Sequence, residues 1–507
     1  MSAIPAAVDL LVVGGGINGT AIARDASGRG QTVLRVERDD LASHTSSWST
    51  KLVHGGLRYL EHYEFRLVRE SLKEREVLLR AAPHLVRPMR FVLPHHEGLR
   101  PAWLLRLGLF LYDHIGGRKL LPATETVDLA EGPLGAPLKD TFTKGFEYTD
   151  CSVDDSRLVA LCAVDARERG ATVLTRTELT GGRREGDGWV CDVASEEHGA
   201  AQVRARAVVN AGGPWVTSLL DGFEDARSTK RIRLVKGSHV VTEALYDHDR
   251  AYIFQNADDR IVFAIPYMHG GTLIGTTDVP YEGDPAKAEA SEEEVAYLCE
   301  AVSAYLARPV TPAEVTSTYS GVRPLYDDMS AEDAQAVTRD YAFDVDRGDA
   351  AGGEGGAPLL SIYGGKLTTF RKLAEHAMRH LEGDLGGSGS WTRDAALPGG
   401  EMGYREWDAW KTAVARCYPF LPQDLLDRLT KAYGTRIERV LGAADSLAAL
   451  GRDFGHGLTE REVRYLAAEE FARDADDVLD RRTRLGLRYT DEERAALAAW
   501  MAEARAL

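Results

Sequence analysis

Residues 45–65 read TSSWSTKLVHGGLRYLEHYEF, a stretch dense in groups that bind anions and move protons. Thr45, Ser46, Ser47 and Ser49 bring hydroxyls, Lys51 and Arg58 bring cations, and His54 brings an imidazole that titrates near neutrality. Tyr59 adds a phenol. The stretch is too polar and glycine-rich for a core strand, and too rich in cations and aromatics for an idle linker. Similar groups recur far along the chain: Lys236 and His239 in KGSH, Thr276 in GTTD, Arg323 in SGVRP, Arg339 in TRDY and Lys366 in GGKLTT. None of these cations lies on an obvious solvated helix face. Converging Arg and Lys side chains recognise a dianionic phosphate through charge-assisted, often bidentate hydrogen bonds. Any one of them alone reads equally well as a surface or ion-paired residue. His54 and His239 are the candidate general bases, although a lone histidine is more often structural than catalytic.

The elements that must position these groups begin at the N-terminus. VDLLVV (8–13) is a short apolar run ending in Gly14-Gly15-Gly16-Ile17-Asn18-Gly19, which predicts a buried parallel strand turning tightly into a helix. TAIARDASGRG continues with helical spacing and stops at Gly28 and Gly30, and TVLRVE (32–37) is a second strand ending in an acid. Strand, glycine turn, helix, strand and acid together form a dinucleotide fingerprint. Gly14 makes the turn, Gly16 lets the backbone approach a pyrophosphate, Gly19 packs the helix on the strand, and Glu37 accepts from a ribose hydroxyl, with Arg38 beside it. The helix start, at Ile17 and Asn18, offers free N–H groups and a positive dipole end. The fingerprint alone does not choose between NAD and FAD. Its place at the N-terminus, and the loop of hydroxyls that follows, favour FAD lying over Thr45, Ser46, Ser47, Ser49, Lys51, Leu52 and His54.

Later segments return to this site. DDSRLVALCAVDARERG predicts a helix and ATVLTRTELT a strand that brings Leu179 toward an adenine. VVNAGGPW ends a strand at Ala211 and Gly212, ahead of Trp215. YIFQNADDRIVFAIPY (252–267) reads as a hairpin with an Asp-Asp turn. DRGDAAGGEGGAP (346–358) reads as a surface loop. SIYGGKLTTF repeats the strand, Gly-Gly, helix design, placing Gly365, Lys366, Leu367 and Thr368 where a helix starts. GGSGSW (386–391) reads as a linker to a charged helical segment. The expected division is a discontinuous dinucleotide domain (1–75, 151–214, 346–385), an antiparallel substrate or cap domain (76–150, 215–345) and a helical domain (391–507).

Bulk properties set limits. The chain has 507 residues, 44% hydrophobic and 27% charged, so several domains with ordinary cores are expected. A net charge of -17 argues against general nucleic-acid binding. Five cysteines without a CxxC suggest neither a metal site nor a disulfide framework, and point to a reducing compartment. No signal peptide is expected from the first residues, and no apolar run is long enough to span a membrane. LRPAWLLRLGLFLYDHIGGRK (99–119) mixes large apolar residues with Arg100, Arg106, Arg118 and Lys119. It reads equally as a core helix or as an amphipathic segment lying in a membrane interface.

The segments TSSWSTKLVHGGLRYLEHYEFRLVRES, PHLVRPMRFVLP, GFEYTDCSVDDSRLV, VNAGGPWV, LVKGSHVV, GTTDVPYEGDP, TYSGVRPL and SIYGGKLTTFRKLAEHA closely resemble those of bacterial aerobic glycerol-3-phosphate dehydrogenases. The resemblance runs from about residue 8 to the C-terminus. It implies an α/β fold with an FAD-binding, Rossmann-like domain of the D-amino-acid-oxidase type, an antiparallel-sheet substrate domain and a C-terminal α-helical domain. It implies oxidation of sn-glycerol 3-phosphate to dihydroxyacetone phosphate by hydride transfer to non-covalent FAD, with electrons passing to ubiquinone or menaquinone. It further implies a peripheral place on the inner face of the cytoplasmic membrane, and a homodimer is among the expectations. Family substrate positions match Arg58, Tyr59, Arg323, Arg339 and Lys366, with His54, His239 and Thr276 nearby. Lys236 is added as a further cation, and Arg323 as a stabiliser of developing alkoxide charge. Two positions depart from the family: Trp48 replaces a small residue, and Arg35 interrupts an apolar strand. An oxidase using O2, an amine or amino-acid oxidase, and a non-catalytic flavin protein are the alternatives.

Overall fold

The computed structural model describes residues 3–60, 63–224, 226–228, 230–258, 260–327, 340–348 and 356–506. Two sheets and a helical domain make up the chain. Strand β1 (Ala7–Val13) is flanked in parallel by β2 (Val33–Val36) and by the strand Gly199–Asn210. Leu10 registers with Val33, and Val13 with Asn210. The strands Leu359–Gly364 and Thr172–Leu174 extend this parallel core, and an antiparallel strand, Tyr341–Asp346, closes one edge. β1 and β2 are mostly apolar on both sides, with Arg35 as the buried exception, because helices cover one face and a hairpin (177–195) the other. Helix α1 (Ile17–Gly28) packs on the covered face with the helices Asp155–Glu168 and Phe370–His380.

The second sheet has ten strands, nearly all antiparallel. Its long strands Arg231–Glu243 and Val315–Asp327 pair so that Val235 faces Arg323, Gly237 faces Gly321 and His239 faces Tyr319. The predicted hairpin forms from Ala251–Gln255 and Ile261–Tyr267. Leu52–Val53, at the end of the opening stretch, pairs with Lys144–Val153 and so ties the hydroxyl-rich loop into this sheet. Helices α2 (Phe65–Ala81) and α3 (Ala102–Ile115) follow that loop.

Beyond residue 400 the chain builds helices around a core of its own, including Leu426, Ile437, Leu466 and Leu479. The stretch 386–391 is not a free tether. The Ser388 amide donates to the Arg29 carbonyl, and the Trp391 indole donates to the Asp25 carbonyl. Residues 349–355 of the glycine-rich loop, and Arg339, lie outside the described residues.

Candidate active site

Two adjoining cavities open beyond the carboxyl ends of β1 and Gly199–Asn210, of about 130 and 470 Å³. The smaller runs along Gly14, Gly16, Glu37, Arg38, Gly212 and Trp215, with Leu179 at its wall. Gly14 takes φ +121, and a Cβ there would strike the Ala211 carbonyl. A Cβ at Gly19 would strike the Gly14 carbonyl, so α1 packs directly on the turn. The Glu37 carboxylate accepts the Gly15 and Asp39 N–H groups at the end of β2. The Arg38 guanidinium lies 4.5 Å over the Trp215 ring.

The larger cavity has the opening stretch as its floor. Thr45, Ser46, Ser49, Leu52 and His54 line it, opposite Ile17 and Asn18 of α1 and the shared Ala211. The loop is held from several sides. Ser46 Oγ accepts the Ile17 N–H at 3.0 Å, Thr45 Oγ1 donates to the Val322 carbonyl at 2.7 Å, and Ser49 Oγ donates to Asp155 at 2.7 Å. Gly365, Lys366, Leu367 and Thr368 close the far wall, where Thr368 Oγ1 and the His54 backbone exchange hydrogen bonds. These residues fit FAD: a two-chambered groove, a glycine turn whose N-cap residue, Gly16, has no side chain over the start of α1, and a buried Asn18 Oδ1 without a partner among the described residues.

Arg58, Tyr59, Thr276 and Arg323 face the same cavity. Lys366 Nζ lies 3.9 Å over the Tyr59 ring. Arg323 pairs with Asp278 and donates to Thr276 Oγ1 at 3.0 Å. Gly237 is required beneath it, since a Cβ there would collide with the guanidinium. His239 Nε2 lies 3.0 Å from Thr50 Oγ1, and its ring stacks on Tyr319 with centroids 4.7 Å apart. Burial, with Arg323 and Lys51 adding, holds its pKa well below the ordinary value, so His239 is neutral. His239 Nδ1 makes no hydrogen bond to any described residue. Burial also lowers the His54 pKa, helped by Lys366 and Arg75 and opposed by Asp150.

Some expected residues lie elsewhere. Lys236 is one residue out of phase with Val235, Gly237 and His239, so the two-residue period of a strand turns it to the other face of the sheet. There it pairs with Glu294 at 2.8 Å and donates to the Glu289 carbonyl, away from the cavity. Lys51 and Ser47 do not line either cavity. Lys51 is buried behind the loop, bonded to Asp155 at 2.7 Å and to the Ser47 carbonyl, and burial lowers its pKa to about 8. Gly19 lines neither cavity and lies against the Gly14 carbonyl, in keeping with the expected packing of helix on strand.

Thr50, Asp278 and Tyr319, which position His239 and Arg323, were missed as individual residues. Asp278 and Tyr319 stood within GTTDVP and TYSGVRP, where period-two alternation with Arg323 would have marked Tyr319.

The fold and the site define a flavin-dependent oxidoreductase. Residues 9–371 match the family described as FAD dependent oxidoreductase, and residues 390–506 match the C-terminal domain of alpha-glycerophosphate oxidase. Among similar proteins is the D-erythritol 1-phosphate dehydrogenase of Brucella abortus, 51% identical over 98% of both chains. Another is the aerobic glycerol-3-phosphate dehydrogenase of Escherichia coli, 47% identical over 98% of this chain and 97% of that one. The crystal structure of the Bacillus halodurans glycerol-3-phosphate dehydrogenase complexed with FAD superimposes with a TM-score of 0.72 at 26% identity, covering 98% and 94% of the two chains. The chain belongs to the family of FAD-dependent glycerol-3-phosphate dehydrogenases.

Proposed function

We propose that this protein oxidises sn-glycerol 3-phosphate to dihydroxyacetone phosphate and passes the electrons to a membrane quinone. The observation that carries this reading is the convergence of Arg58, Arg323 and Lys366 on one cavity beside the flavin floor. Such a cation set suits a phosphate dianion, whereas an amine calls for no cation and the monoanionic carboxylate of an amino acid for fewer. Bound FAD supplies a hydride acceptor at its N5. Anchoring the phosphate holds the substrate C2 in one orientation, which removes most of the entropic cost of the encounter. The C2 hydroxyl proton then passes to a neutral imidazole. We place this base at His239: with its Nε2 proton donated to Thr50 Oγ1, Nδ1 remains an acceptor. His54 is the alternative, and Arg323 is suited to steady the developing alkoxide. The further substrate residues Tyr59 and Thr276 orient Lys366 and Arg323 respectively.

A quinone acceptor implies access to a membrane. Helix α3 supports this, because Trp103, Leu107, Phe110 and Leu111 lie exposed on its outer side; Tyr63, just before α2, and Phe65, at its start, are exposed as well. Among the described residues no helix is long and apolar enough to cross a bilayer, so attachment is peripheral in this reading.

A second substrate is favoured by one finding, the 51% identity to a D-erythritol 1-phosphate dehydrogenase. That alcohol carries the same phosphate on a longer chain, so the same cations serve. Anaerobic stopped-flow with each phosphate decides between them. Rapid bleaching of the flavin by glycerol 3-phosphate, with fast reoxidation by a soluble quinone and slow reoxidation by O2, supports the first reading. Bleaching by the four-carbon phosphate alone supports the second. Fast reoxidation by O2 with peroxide release makes the protein an oxidase, and no bleaching by either overturns the phosphate clamp.

A further inference from the structure

Arg35 is out of keeping with its surroundings. It stands in β2 between Leu34 and Val36, registers with Val12 and Val173 on either side, and is 0% exposed. None of its guanidinium nitrogens makes a hydrogen bond to a described residue. A buried cation without a bonded acid is a costly arrangement, and burial lowers its pKa to about 10. The nearby carboxylates are already engaged. Glu37 accepts the Gly15 and Asp39 N–H groups, and Asp40 is gripped by Arg481 at 2.6 Å and by both terminal nitrogens of Arg482 at 2.8 Å.

The location of this charge is specific. A Cβ built on Gly15 would come within 2.6 Å of Arg35 Nη1, and within 2.7 Å of Glu37 Cγ. The guanidinium therefore lies directly against the middle residue of the glycine turn, beside the acid that meets the ribose. We propose that Arg35 is a buried counter-charge for the FAD diphosphate, acting through the turn rather than by touching the phosphates. It is a positioning residue for the cofactor. Its charge offsets the repulsion between Glu37 and the diphosphate, and low-dielectric surroundings let it act across one layer of backbone. The diphosphate in turn relieves the isolation of the cation. This inference rests on the cofactor alone and is independent of which alcohol is oxidised.

The test uses the full-length protein stripped of flavin and titrated with FAD by fluorescence quenching, with ADP and adenosine as competitors. Arg35→Met should weaken FAD and ADP by about tenfold or more, leave adenosine unchanged, and melt no lower than wild-type apoprotein, while Arg35→Lys retains affinity. Should Arg35→Met not fold, Arg35→Gln serves with the same expectations. Wild-type affinity for FAD in the neutral variant overturns the proposal. So does equal weakening of ADP and adenosine with a lower apoprotein melting point, which would mark Arg35 as packing only.

Discussion

At the scale of single residues, chemistry depends on which imidazole is free to take a proton. His239 is buried, stacked on Tyr319 and bonded to Thr50, and its pKa lies well below 6.5. In its proposed role as base it must be deprotonated to act, so the acidic loss of activity falls where pH drops beneath its pKa. The acidic limb of kcat/KM for the phosphate substrate should therefore lie below pH 6.5. Replacing His239 by Gln should lower kcat by about 10²–10⁴-fold and abolish that limb. A limb unchanged in His239→Gln, and lost in His54→Gln, would transfer the role to His54.

At the scale of elements, α3 presents its faces in an unusual way. Leu109, Tyr112 and Asp113 turn inward, while Trp103 is 69% exposed and Leu107, Phe110 and Leu111 are each more than two-fifths exposed. Large apolar side chains grouped on one helix face mark a binding surface rather than scattered surface residues. Substituting Trp103, Leu107, Phe110 and Leu111 together by Ser or Gln should sharply reduce co-sedimentation with phospholipid vesicles, while leaving turnover with a soluble dye acceptor intact. Equal vesicle binding by the variant would exclude α3 as the attachment face. The strand pair 231–243 and 315–327 shows the same dependence on placement. Gly237 and Gly321 clear space, and alternation brings His239, Tyr319 and Arg323 onto one face.

At the scale of the whole molecule, the C-terminal helical domain is locked to the segment after β2 and to the helix Asp155–Glu168 by buried ion pairs. Arg157 meets Glu470, Arg482 meets Asp40 and Arg484 meets Asp155. Such pairs cost desolvation when formed, and they penalise misdocking strongly when broken. His84 sits in the same seam against Gly399 and Gly434, with neither ring nitrogen bonded to a described residue. Burial, with Arg157, Arg436 and Arg87 adding, lowers its pKa from 6.5 to about 3. The unfolded chain thus takes up this proton first, so the stability is complete above pH 6.5 and drains away as pH falls toward about 3. Urea midpoints measured from pH 7 to 4 should decline less steeply for His84→Leu than for the wild type. Identical slopes would mean that another group governs acid sensitivity.

Local signals were sufficient for the nucleotide-binding half of the site. A glycine turn, the helix after it and an acid closing the second strand are contiguous, so periodicity and glycine stereochemistry determine β1, α1, β2 and Glu37 from the sequence by itself. The hydroxyl loop and the Gly364–Thr368 turn were legible for the same reason, as was the helical character of the C-terminus. Only tertiary structure decided which cations share the cavity. Lys236 and Arg323 both stood in motifs rich in glycine, yet strand register sent the first to Glu294 and the second to Thr276 and Asp278. It also decided that Lys51 supports the loop from behind instead of lining the cavity, because its partner Asp155 is more than a hundred residues away. Sequence spacing carries information about neighbours on one strand or helix, whereas the meeting of two distant charges depends on register, burial and the elements packed between them.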